Sequence, residues 1–345
     1  MKVSTISVLG LFGRHDHTVN VFSDGLTYIH SANGCGKSTL IRMVSLLFSG
    51  KIKELAMIPF ERVDISFSDG ANMIVERSES GMRIQMQRNE IESELDEKEL
   101  SGILRTTFIE AERNTVKRDG SCAMNAVEAY SHDLSVRLKE AEKHRKITVP
   151  PYDDSMSDDE LVSRAKDLYA KLNFIRDAGI EADMPPGLRF PPSRYDLMGS
   201  RKEYADLIHG VSAFVEKNYS LSESVVVFRD IMNSFLSDKD MTVDGKSNIV
   251  FMMDNGISLP SVSLSSGERQ LFIIFYRLLF DTAPSSFVMI DEPEISLHVS
   301  WQQRLGTAMK DIARLKDLQI VIATHSPQIV HNDWDLTNEL RAGRA

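Results

Sequence analysis

Ser31-Ala32-Asn33-Gly34-Cys35-Gly36-Lys37-Ser38-Thr39 is a glycine-rich turn running into an apolar stretch, a pattern able to cradle a polyphosphate. It keeps G-x-x-x-x-G-K-[ST] except at the first position, where Ser31 stands for glycine. Gly34 and Gly36 let successive backbone N–H groups turn toward one anion, aided by the positive end of the following helix. Lys37 is placed to reach the β- and γ-phosphates, the Ser38 hydroxyl to help hold Mg2+, and Thr39 to serve the α-phosphate side. Asn33 and Cys35 belong to the same cofactor-binding turn, Cys35 through its backbone.

Much later, Phe287-Val288-Met289-Ile290-Asp291-Glu292 sets two acids at the end of four apolar residues. A buried strand would deliver both carboxylates to its C-terminal end, where open α/β sheets bind ligands. There Asp291 would orient Mg2+ and Glu292 would act as general base on the attacking water. A second apolar strand leads to His325, placed to meet the γ-phosphate or that water. Leu264-Ser265-Ser266-Gly267-Glu268 opens a further helix. Ser265 and the Gly267 N–H can hold a phosphate through hydroxyl and helix dipole, or Ser265 can be a simple N-cap.

These residues need a sheet to position them. Residues 3–9 and 26–30 predict strands, and 39–48 predict a buried helix. Three alternating runs between 61 and 88, split by S-D-G-A-N and E-S-G, predict an antiparallel meander. Strand-helix-strand alternation after residue 287 predicts a parallel α/β sheet. From about 91 to 240 the chain is charged and mostly helical. Val127, Tyr130, Leu134, Leu138 and Ala141 mark one stripe. Leu161, Ala165, Leu168, Leu172 and Ile175 mark a heptad stripe behind the capping box Ser157–Glu160. Joined by V-P-P-Y-D-D, these two helices make either an antiparallel arm of roughly 30 Å or a packed helical subdomain.

Composition sets the outer bounds. The 345 residues are 42% apolar and 26% charged, which suits a well-cored globular protein. No apolar run is long enough to span a membrane. The N-terminus is too polar for a secretory leader. Cys35 and Cys122 form no disulfide framework and lack metal-ligand spacing, so a reducing cytoplasm is expected. A net charge of −10 argues against a generally basic nucleic-acid binder while leaving room for a local basic groove.

Taken together, the chain resembles the SMC/Rad50/RecF/OLD-like branch of ABC-type ATPases, and within it the compact AAA group found with anti-phage defence proteins. LSSGERQ is similar to the ABC signature LSGGQ, with Ser266 and Glu268 as departures. DEPEISLH replaces a transporter's D-E-P-T-S-A-L-D, THSP follows, and LFGRHDH and FIEAER are also like this group. The resemblance covers residues 1–115 and 240–335 and says little of the segment between. It implies an α/β fold: an ABC-type P-loop ATPase head with a mixed sheet, an antiparallel β-meander and an inserted helical arm or subdomain. The head would come from 1–115 and 241–345, and the insertion from 116–240.

The resemblance also implies binding and hydrolysis of ATP with Mg2+. Ser265, Gly267 and Glu268 would contact ATP held by the opposite head, so that a homo-oligomer forms through a head-to-head ATP sandwich and hydrolysis releases it. Arg113 would stand near a transporter's Q-loop, where sensing of nucleotide or partner is expected. Phe12, Arg14 and His15 are positional candidates for stacking on adenine. PARIS-type and Septu-type defence ATPases point to a separate effector, a TOPRIM- or HNH-type nuclease, because the chain ends too soon after THSP to hold a TOPRIM domain. The alternative is a RecF/Rad50-like repair ATPase that clamps DNA through a basic inner surface. A transporter domain is disfavoured by ISLH, and a barely hydrolysing scaffold is kept open by Ser31 and the altered signature.

Overall fold

Ile6 and Val8 are buried between partly exposed neighbours, the period-2 pattern of a half-covered strand, and Val3–Leu11 forms β1, with a register shift after the buried Val3. A computed structural model of the chain describes residues 1–23, 25–78, 81–89, 91–110, 115–116, 124–149 and 156–341. The expected Arg113 site and Cys122 lie outside the described residues. Contacts divide the chain into two units, Met1–Asn114 with Ser265–Ala345, and Thr115–Leu264. The second boundary differs from the expected 240/241, for a small sheet lies between.

In the first unit β1 is followed by β2 (His15–Asn20), which lies between the two expected strands, and by β3 (Leu26–His30). Helix α1 (Lys37–Phe48) comes next, then the short α2 (Ile52–Ala56). The meander is β4 (Arg62–Phe67), β5 (Asn72–Ser78) and β6 (Gly81–Arg88), extended by β7 (Ile91–Glu94). Its first turn closes as S-D-G-A-N demands: Gly70 takes φ 82°, and Phe67 N–H donates to the Ala71 carbonyl at 2.9 Å. After α3 (Glu97–Ile103) comes β8 (Thr106–Glu110). Six strands pair antiparallel in the order β2-β1-β4-β5-β6-β7.

The second unit begins with β9 (Thr115–Val116) and β10 (Met124–Asn125), then α4 (Ala126–Lys143), α5 (Asp158–Asp177) and α6 (Arg194–Phe235). It closes with a three-stranded sheet, β11 (Lys239–Val243), β12 (Ile249–Met253) and β13 (Ser258–Leu259). The capping box at Ser157 and Glu160 is formed, and all five heptad residues of α5 are buried. Their partner is α6, not α4. Arg201 meets Asp158, Arg164 meets Ser212, Phe174 meets Tyr219 and Arg229 meets Asp177, so the two helices run in the same direction. The connection returns along α5, where Tyr169 meets Phe190. An antiparallel α4–α5 arm is therefore not what forms. The proline-rich segment after α5 is long enough to carry the chain back, and a heptad stripe specifies a buried face without naming what covers it.

Back in the first unit stand α7 (Ser266–Tyr276), a π-helical turn (Arg277–Asp281), β14 (Phe287–Asp291), α8 (Val299–Lys316), β15 (Gln319–Thr324), α9 (Pro327–Val330) and β16 (Thr337–Glu339). The second sheet is wholly parallel, in the order β16-β3-β15-β14-β8. Leu40, Ile41, Val44, Leu47 and Phe48 of α1 are buried in one core with Ile65, Phe67 and Met73 of the antiparallel sheet and Met289, Val321 and Ala323 of the parallel one. Each such side chain stabilises the fold by about 1.5–3 kcal/mol relative to exposure. That double packing explains why α1 is apolar nearly all round. It also fixes the helix whose first residue is Lys37.

Candidate nucleotide site

The C-terminal ends of β3, β14 and β15 converge on the N-terminus of α1. A cavity of about 720 Å3 opens there, lined by Phe12, Asn33, Gly34, Gly36, Lys37, Ser38, Thr39, Glu292 and His325. Gly34 and Gly36 take φ 83° and 84°, where a side chain would be strained. At Gly36 a Cβ would also come within 2.7 Å of Leu11. Phe12 itself has φ 55°, and its ring is the one adenine-stacking candidate on the cavity wall. His15 stacks instead on His17, with ring centroids 5.5 Å apart.

Lys37 is only 4% exposed. Its ammonium donates to the Ser31 carbonyl at 3.2 Å and to the Ser31 hydroxyl at 3.1 Å, so the one departure from the loop pattern supplies an acceptor. It also lies 2.8 Å from Nε2 of His325. That nitrogen is 3.3 Å from the Glu292 carboxylate. The same ammonium is 3.3 Å from Nδ1, so the imidazole stands between the Lys37 cation and the Glu292 carboxylate. Burial holds the Lys37 ammonium below its ordinary value, opposed by Glu292, Cys35, Asp291 and Glu294.

The Ser38 hydroxyl donates to Asp291 at 2.9 Å. Asp291 ends β14 in register with Glu110 of β8. Burial raises its carboxyl above the ordinary range; Glu292, Glu110 and Glu294 add to this, while the Ser38 bond opposes it. A hydroxyl beside a carboxylate in a crowd of acids is the hard oxygen donor set that suits Mg2+. Glu292 follows at φ 47°, a left-handed backbone that turns its side chain out of the strand toward His325.

Two supporting residues escaped the sequence pattern. Glu294 accepts at one oxygen from the Thr324 hydroxyl (2.6 Å) and from the backbone N–H groups of His325 (2.7 Å) and Ser326 (3.2 Å), which sets the loop carrying His325. His17, buried on β2, lies 2.7 Å from the Cys35 carbonyl. Burial lowers the His17 pKa, so the neutral ring with its Nε2 proton makes this bond. In a planar trans peptide the C=O and the next N–H point opposite ways. Holding the Cys35 oxygen inward therefore turns the Gly36 N–H toward the cavity. Cys35 itself is buried and is not among the residues lining the cavity.

Ser265, Gly267 and Glu268 do not line this cavity. Ser265 caps α7: its hydroxyl accepts from the Glu268 N–H, and the Glu268 carboxylate accepts from the Ser265 N–H at 2.8 Å. At Gly267 a Cβ would sit 2.8 Å from the Ser296 carbonyl and 3.2 Å from the Trp301 ring. The glycine thus lets α7 approach the loop that follows Glu292.

Residues 32–331 match the family described as "AAA domain, putative AbiEii toxin, Type IV TA system". The chain belongs to this family. A curated relative, "Retron Ec83 probable ATPase" of Escherichia coli, is 30% identical over 134 residues, or 34% of this chain. The match spans only 24% of that relative's length. Among solved structures, the SMC head domain from Thermotoga maritima shares the fold, with a TM-score of 0.50 at 14% identity over 98% of this chain and 94% of that one. An Smc head bound to the C-terminal winged-helix domain of ScpA gives 0.48 at 14% identity over 96% and 92%. The chain thus has an SMC head-like α/β P-loop fold with mixed sheets and helices. Among the described residues no helix is long and apolar enough to cross a membrane.

Proposed function

We propose that this protein binds and hydrolyses ATP, and that hydrolysis drives an assembly switch controlling a separate toxic effector of nuclease type in anti-phage defence. The observation that carries the ATPase reading is the gathering of Lys37, Ser38, Asp291, Glu292 and His325 around one cavity. Lys37 and the N–H groups of residues 33–39 hold the phosphates, and Phe12 faces the base. Ser38 and Asp291 hold Mg2+, which when bound neutralises charge developing on the phosphates. Glu292 takes a proton from the attacking water, and His325, set by Glu294, orients it.

Ser265 and the N–H groups at the start of α7 lie outside their own cavity, which favours their completing the site of a second copy. The family description, which names a toxin–antitoxin system, and the relative named for a retron support the effector and defence setting. The test measures phosphate release and binding of labelled ATP side by side. Glu292→Gln should retain binding and lose about 100-fold or more in turnover, while Lys37→Ala should lose binding. Wild-type turnover by Glu292→Gln would remove the assigned mechanism. Capture of partners on Glu292→Gln with ATP and Mg2+ tests the effector: a stoichiometric nuclease is expected, and recovery of repair proteins with DNA would favour a clamp.

A further inference from the structure

The end of α4 and the segment after it read Lys143-His144-Arg145-Lys146, a basic run in a chain of net charge −10. Lys143, His144 and Lys146 border a recess of about 400 Å3 in the inserted unit, together with Gly210, Phe214 and Lys217 of α6. Gly210, Phe214 and Lys217 follow one another at spacings of four and three, so they share one helix face.

The recess is built rather than incidental. At Gly210 a Cβ would fall 2.3 Å from the Thr148 carbonyl and 3.0 Å from Ile147, so only glycine lets residues 147–148 lie on the helix. Asp183 pins the same segment: its N–H donates to the Arg145 carbonyl at 2.8 Å, and its carboxylate takes the Arg145 guanidinium at 2.9 Å. The segment carrying Lys146 is thereby fixed against α6, and Lys146 and Lys217 line one concavity.

Its charge is unbalanced. Glu140 takes Lys143 at 2.7 Å and stands 3.7 Å from His144. Glu140 also acts on Lys217 at longer range, so this one carboxylate faces Lys143, His144 and Lys217 together, and among the described residues none lies within ion-pair distance of Lys146 or Lys217. Arg145, the one guanidinium in the run, is committed to Asp183. Phe214 and Ile147 are 6% and 4% exposed, so no aromatic face is offered to a base. Solvent-facing lysines act as point charges without the bidentate fork that would read a particular group. Such a site favours a polyanion whose charges repeat along a chain.

We propose that this recess binds the phosphodiester backbone of a nucleic acid without regard to sequence. The ATPase reading is not needed for it, because every residue involved lies in the inserted unit. The test is fluorescence anisotropy of the full chain with labelled single- and double-stranded oligonucleotides between about 50 and 200 mM salt. Each phosphate contact contributes about 0.9 to the log–log salt slope on a duplex and about 0.7 on a single strand. Lys146→Gln combined with Lys217→Gln should therefore flatten the duplex slope by about 1.8 and weaken binding at the lowest salt. Circular dichroism should stay unchanged, and Lys166→Gln on α5 should bind as wild type does. Equal affinity and slope in the double variant would overturn the assignment. So would a wild-type protein that binds inorganic tripolyphosphate but neither oligonucleotide.

Discussion

By holding the Cys35 carbonyl, His17 orients a peptide plane that the phosphate would otherwise have to orient itself. Losing one such bond is worth roughly 1 kcal/mol, about fivefold in affinity. His17→Ala should therefore raise KM for ATP about fivefold with kcat nearly unchanged, and His17→Gln, whose amide can donate along the same line, should recover part of it. A fall in kcat alone would place His17 elsewhere in the mechanism. Asp291 gives a pH-dependent expectation. Its raised pKa, due first to burial, means the folded state prefers the protonated carboxyl. The associated stability is complete below the ordinary value of 3.8 and is lost as pH rises through the raised one. Asp291→Asn should then unfold at the same or higher temperature than wild type at pH 7, with the gap closing as pH falls, and should lose stabilisation by Mg2+ and nucleotide. Lys37, Ser38, Asp291 and Glu292 were legible in the sequence because each works at a fixed offset in a local pattern. His17 and Glu294 were not, because their roles are hydrogen bonds to residues 18 to 32 positions away that only the fold brings near.

At the scale of elements, the apolar runs spoke clearly where burial was complete. Phe287–Asp291 and Gln319–Thr324 are two of the three interior strands of the parallel sheet, and both read as continuous apolar runs. His15–Asn20 did not read as a strand, since alternating His, Asp and Thr carry little hydrophobic signal; pairing with β1 decides it. The α5–α6 pairing was hidden for the reason given above: stripes specify faces, not neighbours. The end of β14 bears a local cost. A non-glycine residue in the left-handed region costs roughly 1 kcal/mol, and Glu292 stands there at φ 47°. Glu292→Gly and Glu292→Ala both abolish the carboxylate, yet the glycine variant should be the more stable of the two by up to about 1 kcal/mol in denaturant unfolding. Equal stabilities would mean the turn is not strained.

At the scale of the molecule, the proposed assembly makes each active site the work of two copies, one giving the phosphate loop and the other Ser265. Ser265→Arg alone should bind ATP but turn it over poorly, and Lys37→Ala alone should not bind it. Mixed in equal amounts, the two inactive proteins should regain about a quarter of wild-type turnover, because half the dimers would hold one intact composite site of two. No recovery would place Ser265 in the same copy's site. The parallel sheet has a further consequence for how the protein is made. β3 pairs only with β15 and β16, and β8 only with β14, among the described strands. Both early strands thus leave the ribosome long before any partner in that sheet exists, a delay of roughly 10–60 s at ordinary rates of synthesis. A chain released early carries the phosphate loop but lacks Asp291, Glu292 and His325. Translation interrupted before residue 287 can therefore yield fragments with unpaired strand edges, but none with the proposed hydrolytic centre.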